Sequence, residues 1–283
     1  MMDILLNSER YSTRQAMNKR RWKNICIGFG IALVFVMFNH AGQELMEDGD
    51  VMNETLEPIV IAFPLRGEWH TPNTPGTKIP SHGTNKFGSR YAYDFIQVDW
   101  KRKGWPAYRV SPAQYLLFGV PLDEYFCWGQ KVFAPCDGVI VQAADGYQER
   151  PRTKLFSDMI NAYKNAQFDP NEDDIQTVAG NYIILKCADK VYAGLVHLQK
   201  GSIQVSTGQH VKKGQMIGRV GHSGNSFAPH LHFQLMDSSD IATANGLPFV
   251  FEQYEIFKDG FWEKVHNGVP TNEDRIRFQP FDE

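Results

Sequence analysis

At 283 residues the chain has room for one large or two modest domains, and 42% hydrophobic content is that of an ordinary globular protein. Its formal charge of −3 is unevenly spread: residues 1–42 hold six of the 29 Lys and Arg but two of the 32 acids, leaving the remainder at −7. An acidic body excludes nucleic acid as the expected partner, since phosphate binding depends on clustered Lys and Arg. Aromatics at 13% favour a mostly β core.

Residues 1–23 read as a basic tail ending in KRRWK. Residues 24–40 read as a signal peptide or membrane anchor built on the fourteen-residue apolar run Ile25–Phe38. Fourteen residues suit a signal-peptide core and are short for a full span, whereas Asn39-His40-Ala41 is a poor cleavage site, so removal and retention both stay open. In either case export of the C-terminal part is expected, with membrane contact through this segment if it is kept. Residues 42–57 are polar, acidic and aperiodic, and read as a linker. Outside the apolar run, which holds Cys26, the cysteines are Cys127, Cys136 and Cys187. They show no Cys-x-x-Cys spacing and permit one disulfide at most, with a thiol left over.

The folded part is expected to occupy residues 58–283. Pro58–Pro64 gives a short strand, and Gly67–Gly83, with prolines 72, 75 and 80, reads as loop. Tyr91–Trp100 reads as a strand with Ala92, Asp94, Ile96 and Val98 on one face. A lone carboxylate on an apolar face is costly unless paired, and a metal ion, a buried hydrogen bond or a nearby Arg would each serve. Val132–Ala144 reads as strand, turn at Asp137-Gly138, strand. An insertion at about 146–179 comes next, where Leu155, Phe156, Met159, Ile160 and Tyr163 recur at helical spacing. It reads as an inserted amphipathic helix, either a stabilising element or, more sharply, a substrate-gripping lid.

Tyr182–Leu185 and Val191–Leu198 give two further strands, with His197 near the end of the second. The glycines at 208, 214, 218 and 221 mark the turns of a compact barrel, a pattern that identifies a fold and no activity. In Gly221–Leu235 a period of two puts His230, His232 and Gln234 on one face and Leu231, Phe233 and Leu235 on the other. Paired imidazoles on a rigid strand suit a metal and its reacting water, although a half-exposed strand carrying two histidines by chance has the same pattern. Asn245–Glu283 reads as a closing strand and a peripheral tail.

Taken in order, His82…Asp94, VFAPCDGVIV, the LVHL around His197, VKKGQMIGRVGHSGNS and PHLHFQL closely resemble the lysostaphin-type, LytM-like zinc metallopeptidases over most of Phe63–Leu235. The resemblance implies a compact barrel-sandwich hybrid (the duplicated hybrid motif), with core motifs at 63–240 and a groove over a single zinc. Carried over by position, the Zn2+ ligands are His82, Asp94 and His232, and His197 and His230 flank the catalytic water. There is no HExxH glutamate, so His197 and His230 are the candidate bases.

The implied activity is endopeptidase cleavage of bacterial peptidoglycan, in the stem peptide or the cross-bridge. The rival is a non-catalytic relative that binds wall peptide or regulates another hydrolase. A carrier-type β domain fails for want of a Met-Lys or Asp-Lys pair at a hairpin tip. One departure concerns the first histidine, which in most of the family lies four residues before the aspartate; here that position is Arg90. His82, twelve residues before Asp94 in the context SHGT, is preferred over His70. Lys101–Gln130 is a second departure, expected to shape the groove. His40, His210, His222 and His266 read as ordinary surface or packing residues.

Overall fold

The computed structural model describes residues 58–279 apart from 156, 161–167 and 170–171. The basic tail, the apolar run and the linker therefore lie outside the described residues, as do Phe156 and Tyr163 of the insertion. Among the described residues no helix is long and apolar enough to cross a membrane.

The architecture is mostly β. Its strands are β1 (Ile59–Ile61), β2 (Gly67–Asn73), β3 (Tyr93–Ile96), β4 (Val120–Pro121), β5 (Lys131–Phe133), β6 (Gly138–Ala144), β7 (Arg152–Thr153) and β8 (Asn181–Ala188). They continue as β9 (Val191–Leu198), β10 (His210–Val211), β11 (Met216–Arg219), β12 (Leu231–Met236), β13 (Phe249–Lys258), β14 (Phe261–Gly268) and β15 (Ile276–Phe278). One large sheet runs in the order β1-β13-β15-β2-β3-β12-β9-β8-β6-β10, with β14 paired to β13; β5-β11 and β4-β7 form two small ribbons.

Strict alternation in β12 buries Leu231, Phe233 and Leu235 in the main core, which also takes in Tyr93, Phe95, Ile183, Leu195 and, from the small ribbon, Val132 and Ile217. Phe63, Phe95 and Phe251 pack edge to face with centroids 4.8–6.0 Å apart. Burying each such side chain contributes about 1.5–3 kcal/mol. That core makes the opposite face of β3 and β12 a rigid platform.

Several boundaries differ from the sequence expectation. Residues 67–73 are strand, not loop; Pro72 is tolerated because the β2–β3 register slips between His70 and Asn73. The strand expected over Tyr91–Trp100 shortens to Tyr93–Ile96, because a 3-10 segment at Lys86–Tyr91 precedes it. Asp137-Gly138 does not close a hairpin: β5 pairs with β11, while β6 pairs with β8 and β10. The C-terminal stretch is no peripheral tail. It supplies β13, β14 and β15, with β13 parallel to β1 and Phe249, Phe251, Tyr254 and Ile276 in the main core.

Within 101–130 lies a short helix, α1 (Pro112–Phe118), started by a Ser111/Gln114 capping box. In the insertion, residues 157–160 are helical; Met159 is half-buried, Ile160 is exposed and Asp158 is buried. One disulfide joins Cys136 to Cys187, and Cys127 is the buried thiol left over.

Candidate metal centre

Register builds the site. His232 on β12 pairs with Asp94 on β3 and with Val196 on β9, and Asp94 pairs in turn with Asn73 on β2. Four strands thus bring one row of side chains to the face opposite the core. His197 joins it through an irregularity. β8 pairs Asn181 with Leu198 and Ile183 with Leu195, so β9 carries an extra residue there, and His197 has φ 61°. A bulge with a left-handed non-glycine residue is a strained feature that functional sites tend to hold.

The row converges on Asp94. His232 Nδ1 lies 2.9 Å from Asp94 Oδ1, His82 Nε2 3.0 Å from Oδ2, and His230 Nε2 3.5 Å from Oδ1. Asn73 Nδ2 donates to Oδ2 at 2.7 Å. His82 Nε2 is buried and, despite that short distance, lacks hydrogen-bond geometry to any partner. Burial alone would raise the Asp94 pKa, but His82, His230 and His232 hold its carboxyl well below the usual carboxylate range. Burial alone would likewise lower His232; its hydrogen bond to Asp94 and the carboxylate charge raise it instead.

The hydrogen-bond partners fix the ring protons. Gln234 donates its amide to the Phe87 carbonyl at 2.6 Å, so its Oε1 faces His232 Nε2 at 2.8 Å and can only accept. His232 therefore carries its proton on Nε2, and in the neutral ring Nδ1 points a lone pair at Asp94. A lone pair facing a carboxylate at 2.9 Å calls for a shared proton or a cation. Ser81 Oγ sits 3.0 Å from His82 Nδ1, which leaves His82 Nε2 aimed at the same carboxylate. His197 and His230 donate from Nδ1 to the Ser223 and Ala228 carbonyls, at 2.9 and 2.8 Å. Both thus present a bare Nε2. Burial, reinforced by neighbouring histidines, holds His197 well below the ordinary histidine pKa, and burial also lowers His230.

Among the described residues two groups of candidate ligand atoms emerge, His82/Asp94/His232 and His197/His230/His232, each with its atoms within 4.8 Å of one another. Two imidazole nitrogens and one carboxylate form a donor set suited to zinc, and the unpartnered His82 nitrogen fits it. His70 stands apart from both groups. It packs edge-on against Trp100 and Trp105, with burial pushing its pKa down to about 4. Arg90 turns instead to Asn85 and Tyr91.

The long spacing from His82 to Asp94 is taken up by a pinned loop. Ser81 N–H donates to the Arg90 carbonyl, and Phe87 and Gly88 have φ of 60° and 72°. At Gly88 a Cβ would fall 2.7 Å from Met236 Cγ, so glycine permits the close pass over β12. Sequence reasoning did not find Asn73, which sits in a stretch read as loop. Nor did it single out Ser223, whose carbonyl orients His197. His222, read there as surface or packing, is fully buried behind His230.

Residues 124–243 match Peptidase family M23. The chain is 40% identical over 58 residues to the peptidoglycan DD-endopeptidase ShyA of Vibrio cholerae, covering 20% of this chain and 13% of that one. It is 52% identical over 44 residues to lysostaphin of Staphylococcus simulans, covering 16% and 8%. The chain thus spans about an eighth or less of these relatives' length. The lysostaphin catalytic domain from S. simulans superimposes loosely, at 22% identity over 64% of this chain and 88% of that chain, with TM-score 0.31. The matched stretch contains His197, His230 and His232, with His82 and Asp94 upstream of it. Over residues 124–243 this chain is thus similar to Peptidase family M23.

Proposed function

We propose that this protein is a zinc-dependent endopeptidase that hydrolyses peptide bonds of bacterial peptidoglycan, in the stem peptide or the cross-bridge. The observation that carries the reading is the convergence of His82 Nε2, Asp94 and His232 Nδ1, with the bare Nε2 atoms of His197 and His230 beside them. His82, Asp94 and His232 hold the metal. When bound, zinc polarises a peptide carbonyl and makes water a nucleophile near neutral pH.

The remaining work falls to the protein. Burial keeps His197 and His230 neutral near pH 7, so each can take a proton at Nε2 and return it to the leaving amine. Asn73 holds Asp94 from the far side. The Cys136–Cys187 disulfide and the wall-directed names of the relatives support an exported protein.

The test is release of primary amines from purified peptidoglycan by residues 42–283, with and without a zinc chelator. Chelator-sensitive release without new reducing ends is expected. His232→Ala is expected to lose zinc and activity together, and His197→Ala to keep zinc and lose turnover. Undiminished hydrolysis by metal-free His232→Ala protein would overturn the assignment.

A further inference from the structure

The sheet face that carries the candidate metal centre continues away from it into a band of aromatic and planar polar side chains. Cross-strand partners share a face, as do residues two apart in one strand. Asp94 and Ile96 therefore share their face with His70, which pairs with Ile96, and with Glu68, two residues before His70. Glu68 pairs with Arg277, and Arg277 with Glu255, so the same face crosses β2, β15 and β13. Phe257, two residues beyond Glu255, pairs with Trp262 on β14, and their ring centroids lie 5.2 Å apart. The band thus starts at the His70–Ile96 pair, two residues along β3 from Asp94, and ends on the β13–β14 hairpin.

Arg275 is the hub of the band. Its guanidinium carbon lies 5.5 Å from the Trp100 ring centroid, 5.3 Å from that of Trp262 and 4.7 Å from that of Phe257. Its Nε and Nη2 donate to Glu68 Oε2 at 2.9 and 2.6 Å. Arg277 lies 4.1 Å over Trp262 and donates to Glu255 Oε2 at 2.7 Å. At the other end the Trp100 and Trp105 rings meet at 5.0 Å, and His70 packs against both. Trp105 is 44% exposed and has φ 46°, a left-handed backbone that a bulky aromatic residue rarely adopts. A large ring held in water at a cost in backbone energy is a feature that ligand sites tend to keep.

The chemistry of the band selects its ligand. Both guanidiniums are already paired with carboxylates, and burial keeps the His70 ring neutral, so the band offers little to a polyanion. The exposed basic turn at 101–103, which links the two indoles, is the exception, and salt dependence isolates its part. What the band offers is flat π surface flanked by planar hydrogen-bonding groups. A pyranose ring matches that surface: the C–H groups of one side pack on an indole, while hydroxyl and acetamido groups at the ring's edge reach guanidinium and carboxylate. We infer that the band from Trp105 to Trp262 is a platform for the N-acetylhexosamine glycan strand of peptidoglycan, laid so that an attached peptide reaches the row at Asp94. The choice of this glycan rests on the peptidase reading above, but the platform is observable without turnover. It also gives the departure at Lys101–Gln130 a role, since Trp105 comes from that segment.

The experiment uses the full chain with a chelator present, so that no bond is cut. Its probes are chitotetraose (a β-linked tetramer of N-acetylglucosamine), glycan strands stripped of their peptides, and a stem peptide carrying no sugar. Affinity is read by tryptophan fluorescence for the soluble probes and by co-sedimentation for the strands, and contact by the indole N–H signals of 15N-labelled protein. Chitotetraose should bind saturably, be little affected by added salt, and shift the signals of Trp100, Trp105 and Trp262. It should leave that of Trp69, which is buried with its N–H on the Arg66 carbonyl. Trp105→Ala should weaken binding about 5- to 100-fold, the loss expected when a flat ring is deprived of an aromatic stacking partner. Arg275→Lys, which keeps the charge but not the planar guanidinium, should weaken it too. Leu117→Ala, at an exposed apolar residue of α1 outside the band, should bind as the parent does.

An unchanged affinity in Trp105→Ala, or a parent in which chitotetraose shifts none of the three indoles, would overturn the inference; the second readout needs no variant to fold. Binding confined to the stem peptide would make the band a peptide subsite. Binding seen only with an anionic polymer, and abolished by salt, would belong to the basic turn. Either of these also overturns the glycan platform. A parent that binds chitotetraose but releases no amine once zinc is restored leaves the platform standing and defeats the peptidase reading instead.

Discussion

Gln234→Met tests whether the proton arrangement around His232 is a metal-binding device. Gln234 is buried and makes two strong contacts that one isosteric apolar side chain deletes, to His232 Nε2 at 2.8 Å and to the Phe87 carbonyl at 2.6 Å, besides a weaker one to Met236 Sδ. Each group left unpaired in the interior costs about 1–3 kcal/mol, so the metal-free protein should lose about 2–6 kcal/mol. The effect on metal is separate. Without Gln234 the His232 ring no longer has its proton held on Nε2, and the loop carrying His82 loses its anchor on β12. Partners of metal-bound histidines typically contribute 10- to 100-fold in affinity, about 1.4–2.7 kcal/mol. Zinc affinity is read by competition with a chromophoric chelator, alongside thermal melting of metal-free protein. Gln234→Glu retains an acceptor for His232 and loses the donor to Phe87, so it should fall between parent and Gln234→Met. If Gln234→Met melts lower yet binds zinc within about twofold of the parent, Gln234 only packs, and the tautomer reasoning fails.

Three further outcomes are expected. His70 and His222 are held neutral by burial, at about 4 and about 3, so in acid the unfolded chain takes up protons that the folded chain refuses. Stability should therefore fall as pH drops below about 6.5, by about 2–3 kcal/mol for each residue near pH 4.5. Urea unfolding of His70→Phe should show a flatter pH profile, and an unchanged slope would refute the assignment. The Cys136–Cys187 bridge closes a loop of 51 residues. Replacing both cysteines by alanine should cost about 2–4 kcal/mol in urea unfolding while zinc binding survives, and a change below about 1 kcal/mol would contradict the loop-closure account. Gly88→Ala must fit a Cβ beside Met236 and Gln234 at φ 72°. It should cost about 1–3 kcal/mol and weaken zinc binding measurably; stability equal to the parent would show that the loop has another route.

Period and local chemistry were the legible part of the sequence. Alternation placed Leu231, Phe233 and Leu235 in the core and His230, His232 and Gln234 on the other face, because a strand's side-chain period tolerates no alternative once one face is buried. A lone Asp94 among apolar residues signalled a pairing requirement, and the structure answers with four polar partners: Asn73, His82, His230 and His232. Long-range register was not legible. Nothing local says that β15 lies between β13 and β2, or that Asn73, beside a proline, closes the row on Asp94. The C-terminal strands were misread because a mixed polar and aromatic composition does not reveal a parallel pairing with β1.

The two departures in spacing, at His82 and at the insertion, share one physical logic. A metal or proton site needs a few atoms fixed to within a fraction of an ångström, and strands supply that precision only for residues in register. Asp94 and His232 have it, being paired across β3 and β12. His82 has none, coming from a long loop, and His230 has only a single bridge to Gly221 at the edge of β12. Each is therefore held by side chains reaching in from elsewhere: His82 by Ser81, with Gln234 gripping its loop at Phe87, and His230 by Ser226, His222 and Arg150. These supports are polar, mostly buried and mutually dependent, so a half-satisfied set would be worse than none. The sequence distance between a site residue and its neighbours can then grow without loss of geometry, provided that every added turn ends on a donor or acceptor facing the site.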